Sequence, residues 1–152
     1  MSLRGTLLDL LAARLDTIKE TNGYDLTVKK VYYDKIPMGI QLASHEVPCI
    51  FLLDSDDRFK PEFKILDADW TIDLQLWNKQ VSDKEQAKFV RAVFKAIFAN
   101  SPTAERVDEF RIHPAIYGIV PDSVVNDLHM IEANRVTLVR FVVKYRTKPY
   151  DL

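Results

Sequence analysis

The sequence predicts an α+β fold, with one mixed, largely antiparallel β-sheet and two main amphipathic helices packed on it. Two segments carry apolar residues at helical steps of three and four, one at the start of the chain and one near its middle. The intervals that follow them are rich in β-branched and aromatic residues, which favour strands. An order of helix, strands, helix, strands is typical of a single sheet covered by both helices.

Length and composition indicate one globular domain. The chain has 152 residues, of which 47% are hydrophobic and 28% are charged. These values are ordinary for a folded protein with one core, so residues 1–152 are expected to form a single domain. The formal net charge of −1 supplies no overall field that would attract nucleic acid or an anionic membrane.

The sequence also bears on the compartment. Cys49 is the one cysteine, which excludes an internal disulfide and a cysteine-based zinc site and fits a reducing, intracellular compartment. Charged residues interrupt residues 1–20, which therefore lack the apolar core of a signal peptide. No run approaches the roughly 18 consecutive apolar residues of a membrane span. We therefore expect neither export by that route nor membrane insertion.

The first helix is predicted from Ser2, which can cap its start, to Asn22-Gly23, where the glycine suits the left-handed end of a helix. Its buried stripe is predicted to contain Leu3, Leu7, Leu8, Leu11, Leu15 and Ile18. The opposite, solvent-facing side is predicted to contain Arg4, Asp9, Arg14, Asp16 and Lys19.

Three strands are predicted between the helices, at residues 24–33, 47–53 and 70–77. The third shows the clearest alternation of apolar and polar residues. Residues 54–61 are strongly polar and include Pro61, which predicts a surface loop between two strands.

The second helix is predicted to begin at the capping box Ser82-Asp83-Lys84-Glu85 and to run to about Asn100. Its buried stripe is predicted to contain Phe89, Val90, Val93, Phe94, Ile97 and Phe98. Strands are then predicted at residues 110–120, 124–131 and 135–146, and residues 132–134 would form the turn of a final hairpin.

Residues that could hold a metal ion are poorly spaced for that role. His45, His113 and His129 are widely separated along the chain. The carboxylates of the predicted loop would suit calcium, but Phe59 and Ile65 stand where a calcium-binding EF-hand loop has its glycine and its glutamate. We therefore predict no metal site.

Sequence motifs for catalysis or for nucleotide binding are also missing. There is no G-x-S-x-G segment, and Cys49 lies within an apolar run, which is typical of a core residue. The four glycines are far apart, which excludes a phosphate-binding loop and a dinucleotide fingerprint. We predict no catalytic residue and no cofactor.

Two features of the predicted surface favour protein contacts. The second helix carries a basic stripe that consists of Lys84, Lys88, Arg91 and Lys95. Such a stripe is either a solvated helix face or a surface that contacts an acidic partner or passing nucleic acid. Trp77 lies on the polar side of its strand, where it either packs against a helix or belongs to a subunit interface.

In layout, most of the chain resembles the tail terminator, or tail-completion, proteins of tailed bacteriophages. The segments that carry the resemblance are LLDLLAARLDTIKE closed by NGY, VPCIFLL followed by an acidic loop, WTIDLQLW, SDKEQAKFVRAVFKAIF and VTLVRFVVKYRTKPYDL. The resemblance implies a structural virion protein, without catalytic residues, that forms a ring, commonly a hexamer. Such a ring ends the growth of the tail tube and presents a surface for head–tail joining.

The resemblance also implies partners and a location. The partners would be further copies of the chain, the tail tube protein, the head–tail connector or neck protein and, in a contractile tail, the sheath protein. DNA would only pass through the ring. The protein would be assembled in the host bacterial cytoplasm and reside in the virion tail. Its contacts would fall on strand edges and on the predicted polar loop, at Asp54, Asp56, Asp57, Arg58 and Lys60.

Other functions also fit the sequence. The chain could be a different head–tail adaptor, or a small domain that binds a ligand or peptide in a groove between sheet and helices. An enzyme would have to be built from dispersed residues such as Glu46, Asp73 and His113, which folding alone would bring together.

Overall fold

The computed structural model describes residues 2–33, 46–62, 65–99, 101–103, 113–126 and 134–148. The elements within these ranges are α1 (Leu3–Asp16), a 3-10 turn (Glu20–Asn22), β1 (Lys30–Tyr32), β2 (Cys49–Glu62), β3 (Ile65–Lys79), α2 (Asp83–Phe98), β4 (Ile116–Val125) and β5 (Asn134–Thr147). These strands form one sheet in the order β1-β2-β3-β5-β4. β1 and β2 are parallel, and the other neighbours are antiparallel. The predicted α+β fold is confirmed.

The first helix begins as predicted and ends earlier than predicted. The Ser2 hydroxyl accepts a hydrogen bond from the Gly5 amide at 3.1 Å, which caps α1. The helix stops at Asp16, and the chain then forms the 3-10 turn. Gly23, with a φ of 91°, ends that turn and not the helix. The left-handed stop was therefore located correctly but assigned to the wrong element.

The strand predicted at residues 24–33 is mostly wrong, because β1 contains three residues at its end. The Val28 amide donates to the Ile18 carbonyl at 2.8 Å, which folds this segment back on the end of α1. The Lys29 amide then donates to the Pro48 carbonyl at 2.7 Å, one residue before the pairing with β2 begins. Residues 24–28 therefore pack against the end of α1, and pairing with β2 is confined to the last residues of the predicted strand.

The loop predicted at residues 54–61 is also wrong, since β2 continues to Glu62 and pairs with β3 along this whole segment. A register shift between Asp54 and Asp56 marks a β-bulge. A bulge bends a strand and lets the ladder resume beyond it. The side chains of residues 54–60 are mostly exposed, so the polarity that suggested a loop belongs to a solvent-facing part of the strand.

The main core lies between the helices and one face of the sheet. α2 is capped as predicted, because the Ser82 hydroxyl accepts from the Glu85 amide at 3.3 Å. The helices contribute Leu7, Leu11, Leu15, Phe89, Val93, Ile97 and Phe98 to this core. The central strands contribute Trp70, Ile72, Leu74, Leu76, Val139, Phe141, Val143 and Tyr145.

Two arginines of α1 were predicted to face solvent. In the structure they contact neighbouring elements instead. Arg14 donates from Nη1 to the Ile97 carbonyl of α2 at 3.1 Å. Arg4, near the other end of the helix, pairs with carboxylates of β2. A helical pattern assigns charged residues to the outside, whereas long arginine side chains reach partners along the edge of the buried stripe.

A second, smaller cluster lies on the opposite face of the sheet. It consists of Val47, Cys49, Phe51, Trp77 and Val136, with Tyr32 packed against it. The Trp77 ring is completely buried, 5.5 Å from the ring of Phe51. Its nitrogen donates to the Gln75 side chain at 3.1 Å. Trp77 is therefore covered by its own chain, away from the helices, and it is removed from the candidate interface.

The C-terminal strands partly follow the prediction. β5 matches the strand predicted at residues 135–146 and pairs antiparallel with β4, as expected of a hairpin. β4 joins parts of the two strands that were predicted separately. Register shifts between Ile116 and Gly118, and between Pro121 and Ser123, account for the broken pattern. Residues 110–112 and 127–133, and with them most of the predicted turn, lie outside the described residues.

The small cluster can be tested with Trp77→Ala. Removing this buried ring should lower the free energy of unfolding by about 3–5 kcal/mol. Tyr117→Ala is the matched control, because Tyr117 is 55% exposed, and the expected change is within about 1 kcal/mol. Chemical denaturation measures both variants. Equal losses for the two aromatic residues would contradict the assignment of Trp77 to a core.

Candidate functional site

The residues considered for an enzyme are not brought together. Glu46 precedes β2 at the end of the sheet where Cys49 pairs with Trp77, whereas His113 precedes β4 near the Tyr145 end. These ends are separated by roughly 30 Å, at about 3.3 Å per residue of β3. Asp73 lies between them and is paired with Arg140. Within the described ranges, no three histidine, cysteine, aspartate or glutamate residues form a metal-binding group.

No helix in the described part of the chain is both long enough and apolar enough to cross a membrane.

A cluster of charged residues holds the start of α1 against the sheet. The Arg4 guanidinium donates to both carboxylate oxygens of Asp54, at 2.6 Å for Oδ1, and lies 2.8 Å from Asp57. The Trp70 indole donates to the same Asp54 oxygen at 2.7 Å. Arg4 also stacks over the Trp70 ring, 5.4 Å from its centroid. These residues form the α1 clamp, which consists of Arg4, Asp54, Asp57 and Trp70.

The α1 clamp engages two residues of the predicted docking loop. Asp54 and Asp57 both pair with Arg4, so part of their negative charge is compensated within the chain, while the Asp54 side chain stays 40% exposed. No local pattern in the sequence indicates this contact, since Arg4 is predicted on the solvent-facing side of α1. Its partners lie 50 and 53 residues further on, in a segment that was predicted as a loop.

The interior of the clamp is electrostatically strained. The Asp57 side chain is 10% exposed, and its Oδ1 has no hydrogen-bond partner among the described residues. Burial raises the pKa of Asp57, Arg4 opposes this rise, and Asp54 and Asp56 add to it. Burial likewise raises the pKa of Tyr145 to about 12, and the nearby Asp57 contributes.

The face of the sheet away from the helices carries a ladder of ion pairs between β3 and β5. Directly opposed residues form each pair. The pairs are Asp67 with Arg146 at 2.6 Å, Asp69 with Lys144 at 3.6 Å and Asp73 with Arg140 at 2.7 Å. Most of the charge on this face is therefore compensated within the chain.

Two predicted interface residues extend this ladder onto β2. Arg58 lies opposite Asp69, and Lys60 lies opposite Asp67, so each aspartate has a basic residue on both sides. The Arg58 side chain is 86% exposed, and its partner Asp56 is 3.6 Å away. Phe59 and Ile65 are also exposed on this distal part of the β2–β3 hairpin. These residues remain accessible to a partner, whereas the Asp57 side chain is 10% exposed.

An exposed apolar surface lies along β4, at the edge of the sheet. Four of the seven large apolar residues that are exposed in the described chain belong to this strand, namely Tyr117, Val120, Val124 and Val125. We call these four the β4 edge. Pro121 and two register shifts interrupt the strand, which disfavours the addition of another strand to it. The β4 edge is therefore suited to contacts through side chains.

Only part of the basic stripe of α2 is available to a partner protein. Lys84 and Arg91 are exposed. Lys88 pairs with Glu85 at 3.1 Å, and Lys95 donates to the Pro102 carbonyl at 2.8 Å. The stripe lies on the helical side of the molecule, whereas Asp56, Arg58 and Lys60 lie on the other face of the sheet. The predicted interface residues therefore form two separate surfaces.

Sequence comparison adds no relative, because neither a protein-family model nor a curated protein matches the chain.

The α1 clamp predicts a difference between two neighbouring aspartates. Asp54→Ala removes the acceptor of Arg4 and Trp70 and should lower the free energy of unfolding by about 1–3 kcal/mol. Asp56→Ala removes an exposed carboxylate with one weak partner, and the expected change is within about 0.5 kcal/mol. Urea denaturation at neutral pH compares them. A larger loss for Asp56→Ala would show that the clamp does not stabilise the fold.

The buried carboxyl of Asp57 predicts a pH dependence. Its pKa is raised above the ordinary value of 3.8, so the native state holds this proton more tightly than the unfolded state. The group therefore contributes stability below pH 3.8, and this contribution is lost as the pH rises through the folded-state pKa.

Asp57→Asn should remove this dependence. Denaturation of both proteins between pH 3 and 7 gives the difference in unfolding free energy, which should shift in favour of the variant as the pH rises. A difference that is constant with pH, or that changes in the other direction, would contradict the raised pKa. Asp9→Asn, at an exposed position of α1, is the control for general charge effects.

Proposed function

We propose that the chain is a structural assembly protein of a tailed-phage virion. In this role it forms a hexameric ring that caps the tail tube, ends its polymerisation and provides a surface for head–tail joining. The observation that carries a role in protein assembly is the β4 edge, where large apolar side chains are concentrated on the rim of the sheet. Such patches are typical of sites where proteins meet.

The segments that carry the resemblance correspond to regular elements of the structure. The opening helix, VPCIFLL, WTIDLQLW, the capped helix and the closing strand correspond to α1, β2, β3, α2 and β5. They pack together in one sheet with both helices on one face. The proposal therefore rests on the likeness in sequence layout together with the exposed surfaces, and on no catalytic group.

Ring formation by one kind of chain requires a heterologous contact, in which one patch binds a different patch on the next copy. The acidic residues of β2 are one candidate partner for the basic stripe of α2, but Asp54 and Asp57 already pair with Arg4. The β4 edge supplies apolar contacts, with Val120 and Val125 on the face away from the helices and Val124 on the helix side. It carries exposed Asp122 next to the valines, so apolar and acidic contacts are available on one strand.

The remaining surfaces supply contacts beyond the ring. The distal β2–β3 hairpin, with exposed Arg58, Phe59 and Ile65, lies at one end of the sheet and is suited to docking on the tube protein or the neck protein. Sheath protein would be a further partner in a contractile tail, and DNA would pass through the ring as cargo. The protein would act in the virion after assembly in the bacterial cytoplasm.

A second candidate function is a small ligand-binding domain. One observation favours it, namely a cavity of about 300 Å³ lined by Asp83, Gln86, Ala87, Asn126 and Arg135. That volume is at the lower limit for small-molecule sites. Gln86 is buried in the same region and donates to the Leu76 carbonyl and the Thr137 hydroxyl at 3.3 and 3.0 Å. Those contacts account for Gln86 as part of the core.

The assembly role predicts a defined position on tails. Purified protein mixed with assembling tubes of its phage should appear by electron microscopy as one ring at one end, and tube length should stop increasing. Val120→Glu places a charge in the β4 edge and should reduce ring formation at least tenfold. Ala13→Glu, which adds the same charge on the exposed side of α1, is the control.

Deletion of the gene separates the alternatives. Loss of a terminator should leave tubes of uncontrolled length, whereas loss of an adaptor should leave tails of normal length without heads. Normal virions after deletion, together with bare tube ends in the mixing experiment, would contradict the assembly role.

A further inference from the structure

A small cavity lies beside the C-terminal half of α2, where two residues of the basic stripe converge. Its volume is about 160 Å³, and its lining includes Gly23, Tyr24, Asp25, Arg91, Lys95 and Pro102. The sequence predicted Arg91 and Lys95 as contact residues but could not show that the turn after α1 packs beside them. The cavity is therefore an observation that the sequence alone did not provide, and it includes two residues of the predicted stripe.

Lys95 is held in place at this cavity. Its ammonium group donates one hydrogen bond to the Pro102 carbonyl at 2.8 Å, and a lysine has further N–H donors for a ligand. Arg91 lies one helical turn before it and is exposed. Neither residue forms an ion pair with the described part of the chain. The guanidinium and the ammonium therefore present donors without an acidic partner of their own.

The wall opposite α2 is formed by the turn after α1 and by Pro102. Gly23 has a φ of 91°, and a Cβ at this position would lie 3.2 Å from the Pro102 side chain. The glycine thus allows the turn and Pro102 to lie close together. The long side chains of Arg91 and Lys95 line the α2 side of the cavity.

Charge and size select the ligand. Arg91 and Lys95 contribute two positive charges and Asp25 one negative charge, so the lining carries a net charge of +1. This matches a monoanion better than a phosphate dianion, which Asp25 would repel. The volume corresponds to about five water molecules, at about 30 Å³ each, which is enough for the end of one side chain.

We propose that this cavity binds the carboxylate of an aspartate or glutamate presented by a partner protein. Arg91 donates to the carboxylate oxygens and Lys95 supplies a second charged donor, as in other charge-assisted contacts. Lys84, two turns earlier on the same stripe, lies outside the cavity lining. The proposal deepens the assembly role, on which the nature of the partner rests, but carboxylate binding by the free protein does not depend on that role.

The test uses the free protein and a short peptide, acetyl-Gly-Glu-Gly-amide, with the Gln peptide as the uncharged probe. Titration followed by NMR should shift the backbone amides of Gly23, Tyr24 and Ala92 saturably in the millimolar range with the Glu peptide. The Gln peptide should not. Arg91→Gln should weaken binding at least tenfold and leaves the contact between Lys95 and Pro102 intact. Lys84→Gln should leave the affinity unchanged.

Several results would overturn the proposal. These are a lack of saturable shifts, equal binding of both peptides, and an unchanged affinity in Arg91→Gln. Inorganic phosphate at the same concentration is the third probe, and tighter binding of phosphate would assign the cavity to phosphate ligands such as nucleic acid. Peptide binding without rings on tail tubes would refute the assembly role alone, and rings without peptide binding would refute the cavity alone.

Discussion

The pairing of β3 with β5 determines which side chains face the helices and which face outward. The two strands are in register from Leu66 opposite Thr147 to Lys79 opposite Asn134. A shift of one residue would turn every side chain of a strand to the other face. In the observed register the large apolar residues meet α1 and α2, and three aspartates meet three basic residues on the other side. Burial and charge pairing therefore select the same register.

Elements that are marked by a local pattern of residues could be predicted from the sequence. The alternation in β3 and β5 and the capping residue of α2 are local signals, and the structure follows them. The α1 clamp was not predictable in this way, because Arg4 and Asp54 are far apart in the sequence and meet only after folding. The same holds for Trp77, whose burial depends on Phe51 in another strand. Side chains that depend on distant partners leave no periodic signal.

The candidate site changed more than the fold did. The polarity of residues 54–61 indicated exposure correctly, but the bulge in β2 turns Asp54 and Asp57 inward and leaves Arg58 and Lys60 outside. The β4 edge was missed, since Pro121 and two register shifts break the alternation that would have marked one strand. A signal was available in the valines at 120, 124 and 125, which stand among polar residues. The surfaces that remain accessible are those on which the proposed assembly role depends.

A charge-swap cycle at Asp73 and Arg140 tests the register most directly. Asp73→Arg and Arg140→Asp each place like charges opposite one another, and each should lower the free energy of unfolding by about 1 kcal/mol. The double variant restores opposite charges, so it should recover most of that loss, with a coupling of at least about 0.5 kcal/mol. Strictly additive losses in the double variant would show that these residues are not paired and would contradict the register of the sheet.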